Sequence, residues 1–310
     1  MPASDVRRGR GPWPSDNGLK AVQHWLEGRL KHVLADGNER LALVRLMLDE
    51  CSSLSRADRI IQNWQARESE LESLSIWADR FAEGEPWQYI VGHSFFGGLK
   101  LKCDPRALIP RPETEELIHQ ALSLISGEND AKRILDIGTG TGCMALAWKQ
   151  ARPQDHVLGM DVSSAALELA KENALIHGDQ DVDWIEMDIL DPASDWPNRP
   201  FDLIMSNPPY IAWRELPSME SRVHQWEPHE ALFVTDEDPL IFYKQIVKLG
   251  AGDSWLNPAG WLCFECHAEL TTDVQGLFEG QAGWMRAEAV ADLQGKMRMV
   301  LAQKRPVEHS

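Results

Sequence analysis

The sequence has no long apolar run. No stretch approaches the ~20 apolar residues that a membrane-spanning helix needs. Residues 1–18 are rich in proline, glycine and arginine and contain no apolar segment typical of a secretory signal. We therefore expect a protein without membrane association, and we predict that residues 1–18 form a disordered tail.

Cysteine and positive charge are also scarce. The five cysteines are scattered and odd in number, which fits reduced thiols in a cytoplasmic protein. Cys263 and Cys266 form a C-x-x-C, but there is no second such pair and no histidine pair at zinc-finger spacing. We therefore read them as ordinary strand cysteines and expect no metal. The 31 Lys and Arg are outnumbered by 48 Asp and Glu, which gives a net charge of −17. This argues against stable nucleic-acid binding through the phosphates, because that mode needs a basic surface.

Residues 19–92 are predicted to form a small helical domain. In LKAVQHWLEGRLKHVL the apolar residues recur at spacings of three and four, and NERLALVRLMLDE and ELESLSIWADRFAEG repeat the pattern. Ser55, directly before RADRIIQNW, has the residue type and position of a helix N-cap.

The pattern changes after Pro86, where FFGGLKLKC predicts a β-hairpin. We read residues 93–112 as a linker that contains this hairpin.

Residues 113–306 alternate between strand and helix patterns. Seven strands are expected, in RILDIG, HVLGMDV, VDWIEMD, FDLIMSN, GWLCFECH, WMRAEAVADL and KMRMVLAQK. Such alternation predicts an α/β fold with a doubly wound, mostly parallel sheet. The last two strands follow each other without a helix, so we expect them to form an antiparallel edge.

A glycine-rich turn follows the first of these strands. Gly138, Gly140 and Gly142 allow a sharp turn and a close approach to a ligand at the start of a helix. Asp161 ends the next strand, where a carboxylate accepts both ribose hydroxyls of a nucleoside. The pair indicates a nucleoside cofactor, although the third glycine is spaced differently from the dinucleotide G-x-G-x-x-G. Asp188, after the third strand, suits either an adenine pocket or the surface.

The sequence Asn207-Pro208-Pro209-Tyr210 follows the fourth strand. Its prolines remove two N–H donors, which leaves the Asn207 side-chain oxygen and the Pro208 carbonyl as neighbouring acceptors. Two such acceptors suit an –NH2 group, and binding it would orient the nitrogen lone pair towards an electrophile. Tyr210 adds an aromatic face.

These motifs together resemble class I S-adenosylmethionine methyltransferases that act on planar amino nitrogens. N-P-P-Y occurs in methyltransferases of adenine, guanine and glutamine, so it does not choose the substrate. The segments GEPWQYIVGHSFFGGLKL, LIPRPETEELI, ILDIGTGTGCMALA, FDLIMSNPPYI, WEPHEALFV and DPLIFYKQI resemble, over about Leu19 to Lys304, the glutamine-N5 methyltransferases of peptide chain release factors.

That resemblance implies a Rossmann-like methyltransferase sheet and a role for each matching residue. S-adenosylmethionine, with S-adenosylhomocysteine as product, would be bound by Gly138, Thr139, Gly140, Thr141, Gly142, Asp161, Asp188, Ile189 and Asn207. The catalytic and substrate-binding residues would be Asn207, Pro208, Pro209 and Tyr210, and the substrate side would be closed by Arg111, Glu113 and Thr114. Glu227-Pro228 also matches the family, but without an assigned role.

The implied function is methylation of the glutamine amide in the Gly-Gly-Gln motif of release factors, with the helical domain helping to hold the factor. We expect a monomer. Three alternatives remain: a glutamine methyltransferase of a ribosomal protein, an amino-methyltransferase of nucleic acid, and a cofactor-binding scaffold without catalysis. The charge of −17 disfavours the second of these, and an intact Asn207–Tyr210 motif disfavours the third.

Overall fold

The structure, a computed structural model, describes residues 9, 11–125, 127, 130–178, 181–193, 196 and 199–307. The chain divides into two compact units, Met1–Val91 and Gly92–Ser310. The described helices are α1 Leu19–Leu30, α2 Gly37–Cys51, α3 Arg56–Ile61, α4 Glu68–Ala82, α5 Trp87–Val91, α6 Pro112–Leu124, α7 Cys143–Ala151, α8 Ser164–Ile176, α9 Ser221–Trp226, α10 Ile241–Ala251 and α11 Thr271–Gly276. The described strands are β1 His93–Phe96, β2 Leu99–Lys102, β3 Arg133–Ile137, β4 His156–Asp161, β5 Val182–Glu186, β6 Phe201–Ser206, β7 Ile211–Ala212, β8 Phe233–Val234, β9 Leu256–Glu265, β10 Trp284–Ala291 and β11 Met297–Lys304.

The first unit consists of helices packed around an apolar core. Leu26 of α1, Val44 of α2 and Leu74 of α4 are fully buried in it, which follows from the three- and four-residue spacing of apolar side chains along these helices. Ser55 caps α3, as predicted, because its hydroxyl accepts a hydrogen bond from the Asp58 N–H at 3.1 Å.

The second unit is built on a seven-stranded sheet, with the order β10-β11-β9-β6-β3-β4-β5 among the described residues. The pairs β9–β6, β6–β3, β3–β4 and β4–β5 are parallel, whereas β11 runs antiparallel to both β9 and β10. The predicted doubly wound sheet with an antiparallel edge is therefore confirmed. The chain continues from β3 to β4 on one side and later returns to β6 on the other, so a crevice is expected at the carboxyl ends of these strands.

Helices cover both faces of this sheet. Ile134 and Leu203 pack with α6 and α7 on one face, and their neighbours Leu135 and Ile204 pack with α10 and α11 on the other. Successive strand residues point to opposite faces, and these strands are buried on both sides. This explains why they read as continuous apolar runs rather than alternating ones.

The hairpin of β1 and β2, predicted from the sequence, packs into the second unit. Phe96 and Leu101 lie in the core next to α7, and Asn173 of α8 exchanges hydrogen bonds with the backbone of Lys102 at 2.6 and 3.1 Å. The segment read as a linker is therefore attached to the sheet domain by apolar and polar contacts.

The predicted tail is described only in part, since residues 1–8 and 10 lie outside the described residues. Farther along, the Trp25 indole donates to the Pro12 carbonyl at 2.6 Å, and Trp13 lies against the Trp25 ring. Across the ranges described, the helices are too short or too polar to cross a bilayer.

Candidate active site

The glycine-rich turn between β3 and α7 is tied to the end of β4. The backbone N–H groups of Gly138 and Thr139 donate to the Met160 carbonyl at 2.8 and 2.9 Å. The Thr139 hydroxyl turns inward and donates to Asp136 at 2.7 Å, and Thr141 is also buried. The two threonines, predicted to bind the cofactor, thus lie under the turn, while Gly138 and Gly140 form its open side.

Gly142 precedes α7 with a φ of +80°, a conformation that L side chains rarely adopt. A Cβ placed there would lie 2.9 Å from the Trp184 ring and 3.1 Å from the Ala170 Cβ. Glycine is therefore required both by the backbone angle and by the close approach of the turn to Trp184 of β5 and Ala170 of α8.

Asp161, at the end of β4, closes the opposite side of the turn. One carboxylate oxygen accepts the Gly140 N–H at 2.9 Å and the other accepts the Ser163 N–H at 2.9 Å. Burial raises the pKa of this carboxyl, and the two backbone hydrogen bonds partly oppose that rise. Each oxygen keeps a second lone pair for a ligand hydroxyl.

A cavity of about 790 Å³, including the space at its mouth, lies at the carboxyl ends of β3, β4 and β6. The cavity brings together most of the residues predicted to bind the cofactor, namely Gly138, Gly140, Asp161, Asp188, Ile189 and Asn207. Pro208 and Pro209 also line it.

Asp188 and Ile189 line the cavity just beyond β5, which ends two residues earlier than the sequence suggested. Asp188 is exposed, and its carboxylate accepts the Leu190 N–H at 2.8 Å. Ile189 is buried and belongs to the apolar core on that face of the sheet. The pair thus offers one acceptor and one aliphatic contact at the same end of the cavity.

A second cavity, of about 430 Å³, shares Asn207 and Pro208 with the first. Its wall also includes Arg111 and Tyr210. Asn207 and Pro208 of the N-P-P-Y segment therefore border two neighbouring spaces. Glu113, predicted from the resemblance to lie at the substrate side, lines neither cavity.

Asn207 is held by a pair of buried side chains. Its Nδ2 donates to the Thr114 hydroxyl at 3.2 Å, and that hydroxyl donates to Glu265 Oε2 at 2.5 Å. Thr114 lines neither cavity. Burial raises the pKa of Glu265 to about 7, with Glu113 adding to the rise, while the hydrogen bond from Thr114 opposes it.

Glu227 connects the PRPETEE segment to the segment after α9. Its side chain is almost fully buried and accepts the Ile109 N–H at 3.1 Å and the Arg111 guanidinium at 2.5 Å. Arg111 is therefore held at the cavity wall by an ion pair. This contact supplies a physical role for Glu227, which the sequence alone left without one.

Tyr210 lies close to His267, with 5.8 Å between the ring centroids. Burial raises the pKa of its phenol, and the negative charge of Glu265 adds to the rise. The hydroxyl is therefore neutral at ordinary pH, and the ring serves as a flat wall.

The residues around the larger cavity fit S-adenosylmethionine. Asp161 offers free lone pairs to a ribose at one wall. The glycines leave open backbone beside it. Beneath the turn, Asp136 Oδ1 is buried with no hydrogen-bond partner among the described residues, and burial raises the pKa of this carboxyl to about 7. Asp136 does not line the cavity, so this carboxyl supports the turn from beneath.

Sequence reasoning missed Glu265, which ends the long strand β9 within the apolar run GWLCFEC. The sequence does contain a signal for it, which is a glutamate within an otherwise apolar strand. A carboxylate in such a strand is buried only when another group pairs with it, so its presence indicates a buried partner. It also missed the short pair β7–β8, which joins the segment after Tyr210 to the segment after Glu227.

The chain is similar in sequence to known methyltransferases. The model of the Methyltransferase small domain family matches residues 116–220. A release factor glutamine methyltransferase of Bacteroides thetaiotaomicron is 38% identical over 239 residues, covering 77% of this chain and 82% of that protein. One of Lactococcus lactis subsp. lactis is 39% identical over 233 residues, covering 75% of this chain and 83% of that protein.

Among solved structures, the hMettl16 catalytic domain in complex with MAT2A 3'UTR hairpin 6 is 17% identical, with a TM-score of 0.53. The match covers 76% of this chain and 83% of that one. At this identity the likeness concerns the fold alone.

Proposed function

The chain belongs to the release factor glutamine methyltransferase family, and from that premise we propose the following reaction. The enzyme transfers a methyl group from S-adenosylmethionine to the side-chain amide nitrogen (N5) of the glutamine in the Gly-Gly-Gln motif of peptide chain release factors. The observation that carries this proposal is the position of Asn207, which lines both the cavity bordered by Gly138 and Asp161 and the second cavity beside it.

The chemical difficulty is that a carboxamide nitrogen is a poor nucleophile, because its lone pair is delocalised into the carbonyl. Asn207 Oδ1 and the Pro208 carbonyl accept the two amide hydrogens, which orients the nitrogen and favours the positive charge that develops on it. Tyr210 lies against the amide plane, and the prolines keep competing donors away. When bound, S-adenosylmethionine supplies an electrophilic methyl group on a positively charged sulfur.

The amide nitrogen must also lose a proton during the reaction. The nitrogen forms one bond to carbon as the carbon–sulfur bond breaks, and it then loses one of its two protons. We propose that this proton leaves to water, since Tyr210 is neutral and its pKa is raised above the ordinary range. Neither a covalent intermediate nor a metal is part of the reaction.

The remaining assignments complete the proposal. Gly138, Gly140, Asp161, Asp188 and Ile189 hold the cofactor, since they line its cavity. The helical unit up to Val91 recognises the release factor. The protein works as a cytoplasmic monomer, and the charge of −17 argues against stable nucleic-acid binding.

The test is methyl transfer from labelled S-adenosylmethionine to a bacterial-type release factor, followed by peptide mass mapping. The matched control is the same factor with Gln→Ala in the Gly-Gly-Gln loop. We expect one methyl group on that glutamine and none on the variant. Cofactor binding without transfer to the factor would contradict the proposal, and undermethylated ribosomes would then be the next substrate.

A further inference from the structure

A chain of three side chains from distant parts of the sequence reaches the reaction centre. Glu265 ends β9, Thr114 lies in the first turn of α6, and Asn207 follows β6. Thr114 and Glu265 are only 4% and 2% exposed. The hydrogen bonds along the chain measure 2.5 Å and 3.2 Å. Thr114 therefore contacts Asn207 directly, and Glu265 contacts it through Thr114. Neither Thr114 nor Glu265 lines the two cavities.

The chemistry of these groups sets the direction of the hydrogen bonds. An ionised carboxylate only accepts, so the single hydroxyl proton of Thr114 goes to Glu265. The lone pairs of that hydroxyl then accept a hydrogen from Asn207, and only Nδ2 can give one. In the part of the chain that the structure describes, Oδ1 receives no hydrogen bond. It remains the acceptor that the Asn207 amide offers to a ligand.

We propose that Thr114 and Glu265 are positioning residues, which hold the Asn207 amide so that Oδ1 rather than Nδ2 meets the substrate nitrogen. The inference deepens the proposed function and rests on it. An amide turned by 180° would present donors to an –NH2 group, and the two would repel each other. Side chains that fix one of the two orientations therefore act on the methyl-transfer step without touching the substrate.

The protonation state of Glu265 decides whether this orientation is enforced. A protonated carboxyl can donate to Thr114, whose hydroxyl would then donate to Asn207 Oδ1 and favour the turned amide. The pKa of Glu265 is raised to about 7 by burial, so methyl transfer should weaken as the pH falls through about 7. The titratable or charged groups that act on Glu265 or are acted on by it are Arg111, Glu113, Cys143, Tyr210, Tyr243, Cys266 and Arg298.

The first experiment compares Thr114→Val with Thr114→Ser at pH 8. Valine keeps the shape and removes the hydroxyl, whereas serine keeps the hydroxyl. We expect Thr114→Val to lower the single-turnover rate of methyl transfer about 10- to 100-fold, the scale of a misplaced reacting group. Its Kd for S-adenosylhomocysteine should match the wild-type value, and Thr114→Ser should recover most of the rate. A wild-type rate in Thr114→Val would overturn the proposal.

The second experiment measures the pH profile of Glu265→Gln between pH 5.5 and 8.5. The wild-type rate should fall below pH 7, and the rate of the variant should be lower at pH 8 but independent of pH. An unchanged acidic fall in the variant would assign it to another group and remove Glu265 from the proposal.

A third readout does not depend on the substrate. The side-chain NH2 resonances of Asn207, assigned by their loss in Asn207→Ala, should shift with a midpoint near pH 7 in the wild type and stay constant in Glu265→Gln. Absence of that shift in the wild type would contradict the positioning role even if methyl transfer to release factors were demonstrated. Failure of wild-type methyl transfer with the shift present would count against the proposed function alone.

Discussion

Replacing Glu265 by glutamine should make the protein more stable at pH 8 while it impairs methyl transfer. Burial raises the pKa of this carboxyl from 4.5 to about 7 in the folded chain, and we take 4.5 as its value in the unfolded chain. Between these two values the folded state holds the proton more tightly. The free energy of unfolding therefore falls as the pH rises, and the loss is complete above about pH 7.

The magnitude follows from the size of the shift. A change of about 2.5 pKa units corresponds to about 3 kcal/mol, at 1.36 kcal/mol per unit. A glutamine side chain does not ionise, so it avoids this penalty. Its amide can either accept from the Thr114 hydroxyl or donate to it, so it no longer enforces one orientation of Asn207. Asp136, whose pKa is also raised to about 7, contributes equally to both proteins and cancels in their difference.

The assay is urea unfolding of the full chain, wild type and Glu265→Gln side by side, at pH 5, 6, 7 and 8. The stability difference should move in favour of the variant by about 2–3 kcal/mol over this range, since part of the shift lies below pH 5. Glu269→Gln, a change at an exposed glutamate nearby, serves as the control and should show no such trend. A difference independent of pH would refute the reasoning, because it would mean that Glu265 does not change its proton affinity on folding.

Four further predictions concern the site. Asn207→Ala should lower kcat about 10²- to 10³-fold in the methyl-transfer assay, as loss of a preorganised polar group does elsewhere, and leave calorimetric affinity for S-adenosylhomocysteine largely intact. Asp161→Ala should instead raise that Kd about 10- to 100-fold, since hydrogen bonds to a charged group are lost. Glu227→Ala should lower the free energy of unfolding in urea by about 2–3 kcal/mol, because it leaves the Ile109 N–H and Arg111 unpaired. Breaking a fully buried ion pair costs ~3–5 kcal/mol, and the expected loss is smaller here because Arg111 is 33% exposed. Gly142→Ala should cost about 2–5 kcal/mol, from left-handed backbone and from contact with Trp184. Gly178→Ala, with a φ of +67° but no atom within 4 Å of its added Cβ, should lose only about 1–2 kcal/mol.

Each prediction has an outcome that would contradict it. Near-normal turnover of Asn207→Ala would remove the orientation mechanism, and an unchanged Kd in Asp161→Ala would remove the ribose contact. Equal losses in Gly142→Ala and Gly178→Ala would show that the packing on Trp184 is of no consequence. A Glu227→Ala protein as stable as the wild type would show that Arg111 and Ile109 find water instead.

Much of the fold was predictable because its signals are local. Apolar spacing along α1 and α4 identifies helices, and the apolar runs of β3, β4 and β6 identify strands buried on both faces. The N-P-P-Y segment and the glycine turn carry their own backbone chemistry. Their places after β6 and β3 follow from the order of elements along the chain.

The contacts that complete the site were not predictable in this way. Thr114 and Glu265 are 151 residues apart, and Arg111 and Glu227 are 116 apart. A hydrogen bond between such residues depends on which strands become neighbours and in which register. No local spacing encodes that choice. The resemblance assigns Thr139 and Thr141 to the cofactor, and the structure shows that both side chains are buried beneath the turn.

The sequence by itself determined the kinds of groups available: glycines that permit the turn, an acid after β4, and two adjacent acceptors after β6. The tertiary structure alone decided their partners. Sheet order brings the carboxyl ends of β3, β4 and β6 together, and the packing of α6 against β9 places Thr114 between Glu265 and Asn207. Residue chemistry is a local property, whereas the direction in which a buried amide points depends on neighbours that only the folded chain provides.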